Sequence, residues 1–334
     1  MVFRLRSQFS MKEVNRRGLN LYHSNLLDLG ILKDYDLGFE IGSENDFQIT
    51  TSLDNNVIPM NSIFYFENSE YGGKVTTLKV ETGNNKLYYG GRTFYGMLCD
   101  KIIAPNSGQD YYIVSGDANS IISTLISRLG LTGLFSASTS SSGFTFTNYQ
   151  FDRYIDGYTG LCKMLKTQNA KLRARFIDRK VVLSAVSIED YSDEEFSSDV
   201  LKFTIEQNKR PINHLICLGQ GELAQRTVLN LYADDDGNVS QTQYFTGLDE
   251  VTATYDYSSV ESVEELLKAG TEKLLEYQKA DEIKITIENA EKDVGDIVGG
   301  YEVVTGMKIT GEISKKIVKV NNNNDPKFSY EVGK

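Results

Sequence analysis

Lys74-Val75-Thr76-Thr77-Leu78-Lys79-Val80-Glu81, then the turn residues Gly83-Asn84-Asn85, then Lys86-Leu87-Tyr88-Tyr89-Gly90-Gly91 form the stretch that decides the fold class. Val75, Leu78 and Val80 alternate imperfectly with polar neighbours, and a Gly-Asn turn separates the two arms. That pattern predicts two short strands joined by a turn. The reading extends upstream. Phe47-Gln48-Ile49-Thr50-Thr51 and Ser62-Ile63-Phe64-Tyr65-Phe66-Glu67 are short and β-rich, and Gly72-Gly73 turns the chain into the quoted stretch. Such strands, with turn signals about every ten residues, predict a sandwich or barrel over the first hundred residues.

Downstream the composition changes after Pro105. Ser115 or Asp117 can cap a helix carrying Ile121, Ile122, Leu125, Ile126 and Leu129, with Gly130 as its stop. A serine-rich stretch (136–142) follows, then an amphipathic segment over 156–168 with Tyr158, Leu161 and Leu165 on one face. Residues 171–177 and 180–186 read as a hairpin turning at Asp178-Arg179. The order helix, strand, helix, hairpin predicts a small α+β domain. The acidic run over 189–199 cannot bury itself and reads as a linker.

Strands resume at 201–205, 214–218 and 226–232. Ser262-Val263-Glu264-Glu265 is a capping box, and Val263, Leu266, Leu267, Leu274 and Tyr277 follow at helical spacing. Glu282-Ile283-Lys284-Ile285-Thr286-Ile287-Glu288 is a period-two strand, and strands continue at 294–298, 301–304 and 312–320. Asn321-Asn322-Asn323-Asn324 predicts a polar turn into one short edge strand.

Bulk properties bound the function. The 334 residues exceed what one hydrophobic core usually holds, so two or more domains are expected. Twenty tyrosines, sixteen phenylalanines and only four prolines favour sheet. The net charge of -11 argues against gripping nucleic acid, which requires lysine and arginine to displace phosphate counterions. It leaves room for a surface past which nucleic acid slides. No apolar run approaches the ~18 residues of a membrane span, and Met1-Val2-Phe3-Arg4-Leu5-Arg6 lacks the apolar core of a signal peptide, so synthesis and folding in a cytoplasm and no membrane insertion are expected. Cys99, Cys162 and Cys217 stand far apart among apolar neighbours and read as buried free thiols.

Candidate chemistry is sparse. His214 lies three residues from Cys217, but residues three apart in a strand face opposite sides, so a nucleophile–base pair is not expected. His23 reads as a surface or turn histidine. Asp234-Asp235-Asp236-Gly237-Asn238 has Val239 and Phe245 where a calcium loop needs glycine and glutamate, and reads as a hairpin turn. Gly219-Gln220-Gly221 does not complete a dinucleotide fingerprint, because position 224 is Ala224. The paired carboxylates lie in turns, linkers or an exposed helix face. No catalytic residue, cofactor, cofactor-binding residue or metal ligand is therefore expected.

Three segments carry a resemblance: Gly91-Arg92-Thr93-Phe94-Tyr95-Gly96-Met97-Leu98, Asn213-His214-Leu215-Ile216-Cys217-Leu218-Gly219-Gln220-Gly221-Glu222-Leu223, and Val294-Gly295-Asp296-Ile297-Val298-Gly299-Gly300-Tyr301-Glu302. In order, and across nearly the whole chain, they resemble the siphovirus Gp37-like tail proteins of phages and prophages. That family is similar in turn to the central baseplate hub of contractile-tailed phages. Phe94 stands where tryptophan is expected and keeps an aromatic anchor.

The resemblance implies a mainly β chain with two tube-like antiparallel β-barrels and a small α+β insertion. The first barrel would span 1–104 and the insertion 105–198. The second barrel would span 199–233 with 279–334, and 234–278 would be an excursion carrying a helix. It implies a homotrimeric virion protein, a structural hub without enzymatic activity. Three chains would form a pseudo-sixfold ring between a sixfold tail tube, or distal tail protein, on one face and a threefold tip or spike on the other. DNA would pass through without specific binding. A conduit wall should repel weakly, which predicts an acidic lumen, with Lys315, Lys316 and Lys319 facing a partner or solvent. Competing readings are a tail-associated cell-wall hydrolase or peptidase, whose activity would sit in a C-terminal extension for which little chain remains, and a carbohydrate-binding module suggested by the tyrosines.

Overall fold

A thirteen-stranded sheet runs through both ends of the chain. The computed structural model describes residues 19–22, 28–55, 58–192, 202–205, 212–260, 262–278, 283–287, 292–301, 308–321 and 326–333. His23, Met1–Arg6, most of the acidic run over 189–199, residues 302–304 and Asn322–Asn324 lie outside the described residues. The described chain is mainly β. It divides into one unit of residues 1–203 with 285–332 and another of residues 204–284.

The order of the large sheet is Lys202–Ile205, Ile283–Ile287, Lys327–Gly333, Lys308–Val320, Asp36–Ile41, Asp46–Ser52, Lys86–Thr93, Gly72–Glu81, Ile63–Tyr65, Leu19–Tyr22 and Asp28–Leu32. Ile297–Tyr301 pairs with both Lys308–Val320 and Asp190–Tyr191. The opening hairpin is present, with Leu78 opposite Tyr89 and Val80 opposite Leu87. Lys316–Val320 pairs antiparallel with Leu37–Ile41, and this ladder joins the N-terminal and C-terminal β segments. Lys327–Gly333 was expected at an edge. It lies inside the sheet, because it forms a hairpin with Lys308–Val320 on one side and takes Ile283–Ile287 on the other.

Aromatic rings fill the core in place of tryptophan. Phe47 meets Phe64 edge-on at 4.4 Å, and Phe94 stacks on Phe176 at 5.8 Å with 12° between planes. Such pairs add about 0.5–1.5 kcal/mol each beyond the area they bury. Phe94 is the anchor expected at its position, and Gly72 makes room for it: a Cβ there would stand 2.3 Å from the Phe94 ring. Phe176 belongs to the α+β segment and also stacks on Tyr65 at 4.2 Å, so the N-terminal strands and that segment share one core.

The α+β segment follows its local signals. Asp117 accepts from the Asn119 backbone at 2.9 Å and caps the helix Ala118–Arg128. Asp156 caps Gly157–Lys166. The hairpin Ala170–Ile177 and Lys180–Ser187 turns at Asp178 and Arg179, both at positive φ (49° and 64°), as a two-residue turn matched to strand twist requires.

The second unit departs from the expected boundary at residue 233. His214–Leu218 and Val228–Ala233 pair with Val239–Ser240 and Thr252–Asp256 in a four-stranded sheet of their own, under the helix Val263–Gln278. The reason is local cover: Leu215, Cys217, Leu231 and Ala233 present one apolar face, and Leu266 and Leu274 of the helix close it. Ser262 accepts from the Glu265 backbone at 3.1 Å, the capping interaction the sequence announces.

Candidate functional site

The residues that invited chemistry are placed apart or engaged structurally. Cys217 is buried, while His214 sits on the opposite face of the same strand. There His214 stacks on Tyr232 at 4.4 Å, with Nδ1 2.7 Å from a Glu250 carboxylate oxygen and Nε2 2.9 Å from Asn230 Oδ1. Burial pushes the Cys162 thiol up to about 12 and the Cys99 thiol up to about 11, and it raises that of Cys217, so none is poised as a thiolate nucleophile. Asp234 organises a hairpin turn: Oδ1 accepts from the backbones of Asn238 at 2.8 Å and Asp236 at 3.0 Å. Hydrogen bonds from Asn238, side chain first, hold its carboxyl below the usual range. Gly219 and Gly221 lead into the short 3₁₀ turn Leu223–Gln225 and then another strand, without the helix a phosphate cradle needs. Among the described residues, no group of three or more His, Cys, Asp or Glu side chains is arranged to hold a metal, and no helix is long and apolar enough to cross a membrane.

The densest polar arrangement is a buried ionic junction in the first unit. Lys316 is 0% exposed and donates to Glu70 Oε1 at 2.8 Å. Tyr95 donates its hydroxyl to Glu70 Oε2 at 2.9 Å and accepts from the Ala174 backbone at 3.0 Å. Burial, then the Glu70 charge, pushes the Tyr95 hydroxyl well above the ordinary tyrosine range. Lys171 lies 3.0 Å from Asp293 and 2.5 Å from Asp296. Asp296 also accepts from the Glu189 backbone at 2.9 Å and the Asp293 backbone at 3.1 Å. Burial raises the Asp293 carboxyl, but the Lys316 and Lys171 ammonium groups outweigh it and hold the carboxyl below its usual range.

Four parts of the chain meet here: the loop at Glu70, the helix Phe94–Cys99, the hairpin at 170–187, and the C-terminal segments at 293–296 and 316. Buried charges persist only when paired and hydrogen-bonded, so the junction fixes their register. Gly299 serves the same packing, since a Cβ there would meet the Ser192 carbonyl oxygen at 2.7 Å. Sequence reading missed this junction and assigned Lys316 to a partner or solvent. Lys316 is instead enclosed within its own chain, while Lys319 is exposed and Lys315 reaches Glu40 at 3.3 Å. Beside the junction is a cavity of about 310 Å³, lined among others by Tyr95, Tyr158, Leu172, Arg173 and Ile313.

Two of the strand edges open among the described residues lie in the N-terminal part of the large sheet. Asp28–Leu32 ends the large sheet with one neighbour and exposes Leu29 and Ile31. Gly72–Glu81 is flanked by Ile63–Tyr65 only as far as Lys74, so 77–81 presents a free edge with Leu78 42% and Val80 49% exposed.

No family model and no curated protein matches the sequence. Solved structures do. The 43 kDa tail protein of prophage MuSo2 from Shewanella oneidensis is 11% identical, with 94% of this chain and 97% of that chain covered at a TM-score of 0.55. Prophage tail protein gp18 from Listeria monocytogenes is 13% identical, covered 94% on both sides at 0.51. A chain of the phage P2 baseplate, in its activated conformation with Ca, is 12% identical, with 94% of this chain and 98% of that chain covered at 0.50. At these identities the likeness is one of fold, and over nearly its whole length this chain has the fold of phage and prophage tail and baseplate proteins.

Proposed function

We propose that this chain is a structural, non-enzymatic hub protein of a phage-type virion tail, a homotrimer that adapts a sixfold tube to a threefold tip. The observation that carries this reading is that two edges of the large sheet are open among the described residues and expose apolar side chains, Leu29 and Ile31 on one and Leu78 and Val80 on the other. Free edges are templates for further pairing, and stable proteins normally blunt them with charge or proline. Here Leu29, Ile31, Leu78 and Val80 stay exposed beside the charged Asp28, Lys79 and Glu81, as edges completed by neighbouring copies would need. In this reading the N-terminal strands and the strands over 283–333 are the two tube-like elements of each chain. Three chains supply six such elements and close a ring without free edges.

The ring would meet the tail tube or a distal tail protein on one face and a tip or spike protein on the other. DNA would pass through its lumen unbound. With 46 acidic against 35 basic residues, the chain can supply a wall that repels phosphate weakly. The test is a mass measurement on the full chain at high concentration, followed by an image of the assembly. The reading expects a closed threefold ring with an acidic lumen. A lumen dominated by lysine and arginine would reject the conduit role even if the ring formed.

A further inference from the structure

We propose that the cavity beside the ionic junction is a binding site for a single carboxylate carried on a small apolar body, with Arg173 as the residue that receives it. This inference does not depend on the tail reading. Arg173 lines the cavity, and its Nε–H is fully buried without a hydrogen-bond partner. Among the described residues the guanidinium makes no hydrogen bond or contact ion pair; Asp293 and Glu70 act on it only through space.

The nearby carboxylates are already engaged. Both Glu70 oxygens are taken, by Lys316 and Tyr95. Both Asp296 oxygens are taken, by Lys171 with the Glu189 backbone and by the Asp293 backbone. Asp293 Oδ2 accepts from Lys171, and Oδ1 lies 3.9 Å from Lys316. Arg175, the neighbouring guanidinium, is satisfied by the Asn68 carbonyl at 2.7 Å. Arg173 is thus the one cation of this set left without an acceptor, and burial together with the Arg175 charge weighs against it. A buried donor left unmet on a partly exposed cation, as Nε is here, is costly unless something completes it.

The missing group is defined by its surroundings. A guanidinium fork matches the two oxygens of a carboxylate. The walls supplied by Ile41, Leu172, Ile313 and the Tyr95 and Tyr158 rings suit an apolar body. About 310 Å³ is room for a phenyl-sized group and its acid, given that an apolar cavity of about 150 Å³ holds benzene. A dianion such as phosphate would sit beside Glu70, Asp293 and Glu312 in the same lining and is disfavoured. At the rim, Lys163 and Lys166 are largely exposed and held by Asp152 at 2.7 Å and Glu312 at 2.6 Å, surface pairs weak enough to yield to an incoming acid. The same chemistry is offered by a free small acid and by the C-terminal residue of another chain.

The experiment titrates the full chain with 3-phenylpropionate and with N-acetylphenylalanine, following the Arg173 Nε–H resonance in ¹⁵N-arginine-labelled protein. We expect saturable binding of at least one acid with a shift of that resonance. 3-Phenylpropanamide and inorganic phosphate should bind at least about tenfold more weakly, a difference of about 1.4 kcal/mol. Tighter binding of N-acetylphenylalanine identifies a chain terminus as the source; tighter binding of 3-phenylpropionate identifies a free acid. Arg173→Gln should abolish binding while raising the thermal midpoint of the free protein, and Arg173→Lys should retain part of the affinity. The proposal is overturned if neither acid binds, if the amide or phosphate binds as well as the acids, or if Arg173→Gln binds undiminished. The amide and phosphate comparisons use unaltered protein and stand even if a variant fails to fold.

Discussion

Lys316→Met removes the cation of a deeply enclosed ion pair and leaves Glu70 behind. Lys316 is fully buried, and the Glu70 side chain is 12% exposed. Removing one member of a buried pair costs about 3–5 kcal/mol, because the other charge stays without compensation. Tyr95 still donates to Glu70 at 2.9 Å, and methionine restores most of the lost packing against Tyr71 and Phe328. The lower end, about 3 kcal/mol, is therefore expected. Adding Glu70→Gln removes the stranded charge, so the double variant should lose only about 1 kcal/mol, well below the sum of the two single losses, each of which strands one charge of the pair.

The pH dependence follows from Asp293. Its folded carboxyl titrates below its ordinary value of 3.8. It therefore contributes stability that is present above that value and is lost as pH falls through the depressed one. Lys316→Met weakens the pull, so acid unfolding should begin at higher pH than in the unaltered chain. Hydrogen-exchange mass spectrometry of peptides covering 170–176 and 308–320 reads the junction without interference from the 204–284 unit. A loss below about 1 kcal/mol for Lys316→Met, or additive single effects in the double variant, would refute the claim that this junction holds the segments together.

Gly72→Ala should destabilise the first unit by about 1–3 kcal/mol, because its Cβ would stand 2.3 Å from the Phe94 ring and 2.7 Å from the Phe64 carbonyl; a denaturant midpoint unchanged from the parent would contradict the packing. Ser262→Ala should cost about 1 kcal/mol, and the loss should appear in exchange from 263–278 while the first unit stays as protected as before. Leu78→Lys with Val80→Lys should leave the circular dichroism of the chain intact and abolish self-association in light scattering; undiminished association would place the intersubunit contact elsewhere.

What the sequence made legible was local. The Ser262 cap, the Asp117 cap and the turn at Asp178 and Arg179 depend on residues within three positions of one another, and each appears as expected. The separation of His214 from Cys217 follows from strand alternation alone. What stayed hidden depends on long-range pairing. Lys316 meets a glutamate 246 positions away, and Lys171 meets aspartates 122 and 125 positions away, so no window of sequence distinguishes these lysines from solvated ones. The strand at 327–333 read as an edge because its second neighbour, Ile283–Ile287, lies some forty residues upstream. The boundary at 233 failed because the same alternating pattern serves a strand in either sheet, and only the cover from Leu266 and Leu274 decides which.

The central claim is assembly into a threefold ring, and the stoichiometry of this chain by native mass spectrometry, on concentrated full-length protein and on purified tail particles, tests it most directly. The account predicts three copies of the 37.5 kDa chain in a closed complex; a monomer in both preparations would contradict it.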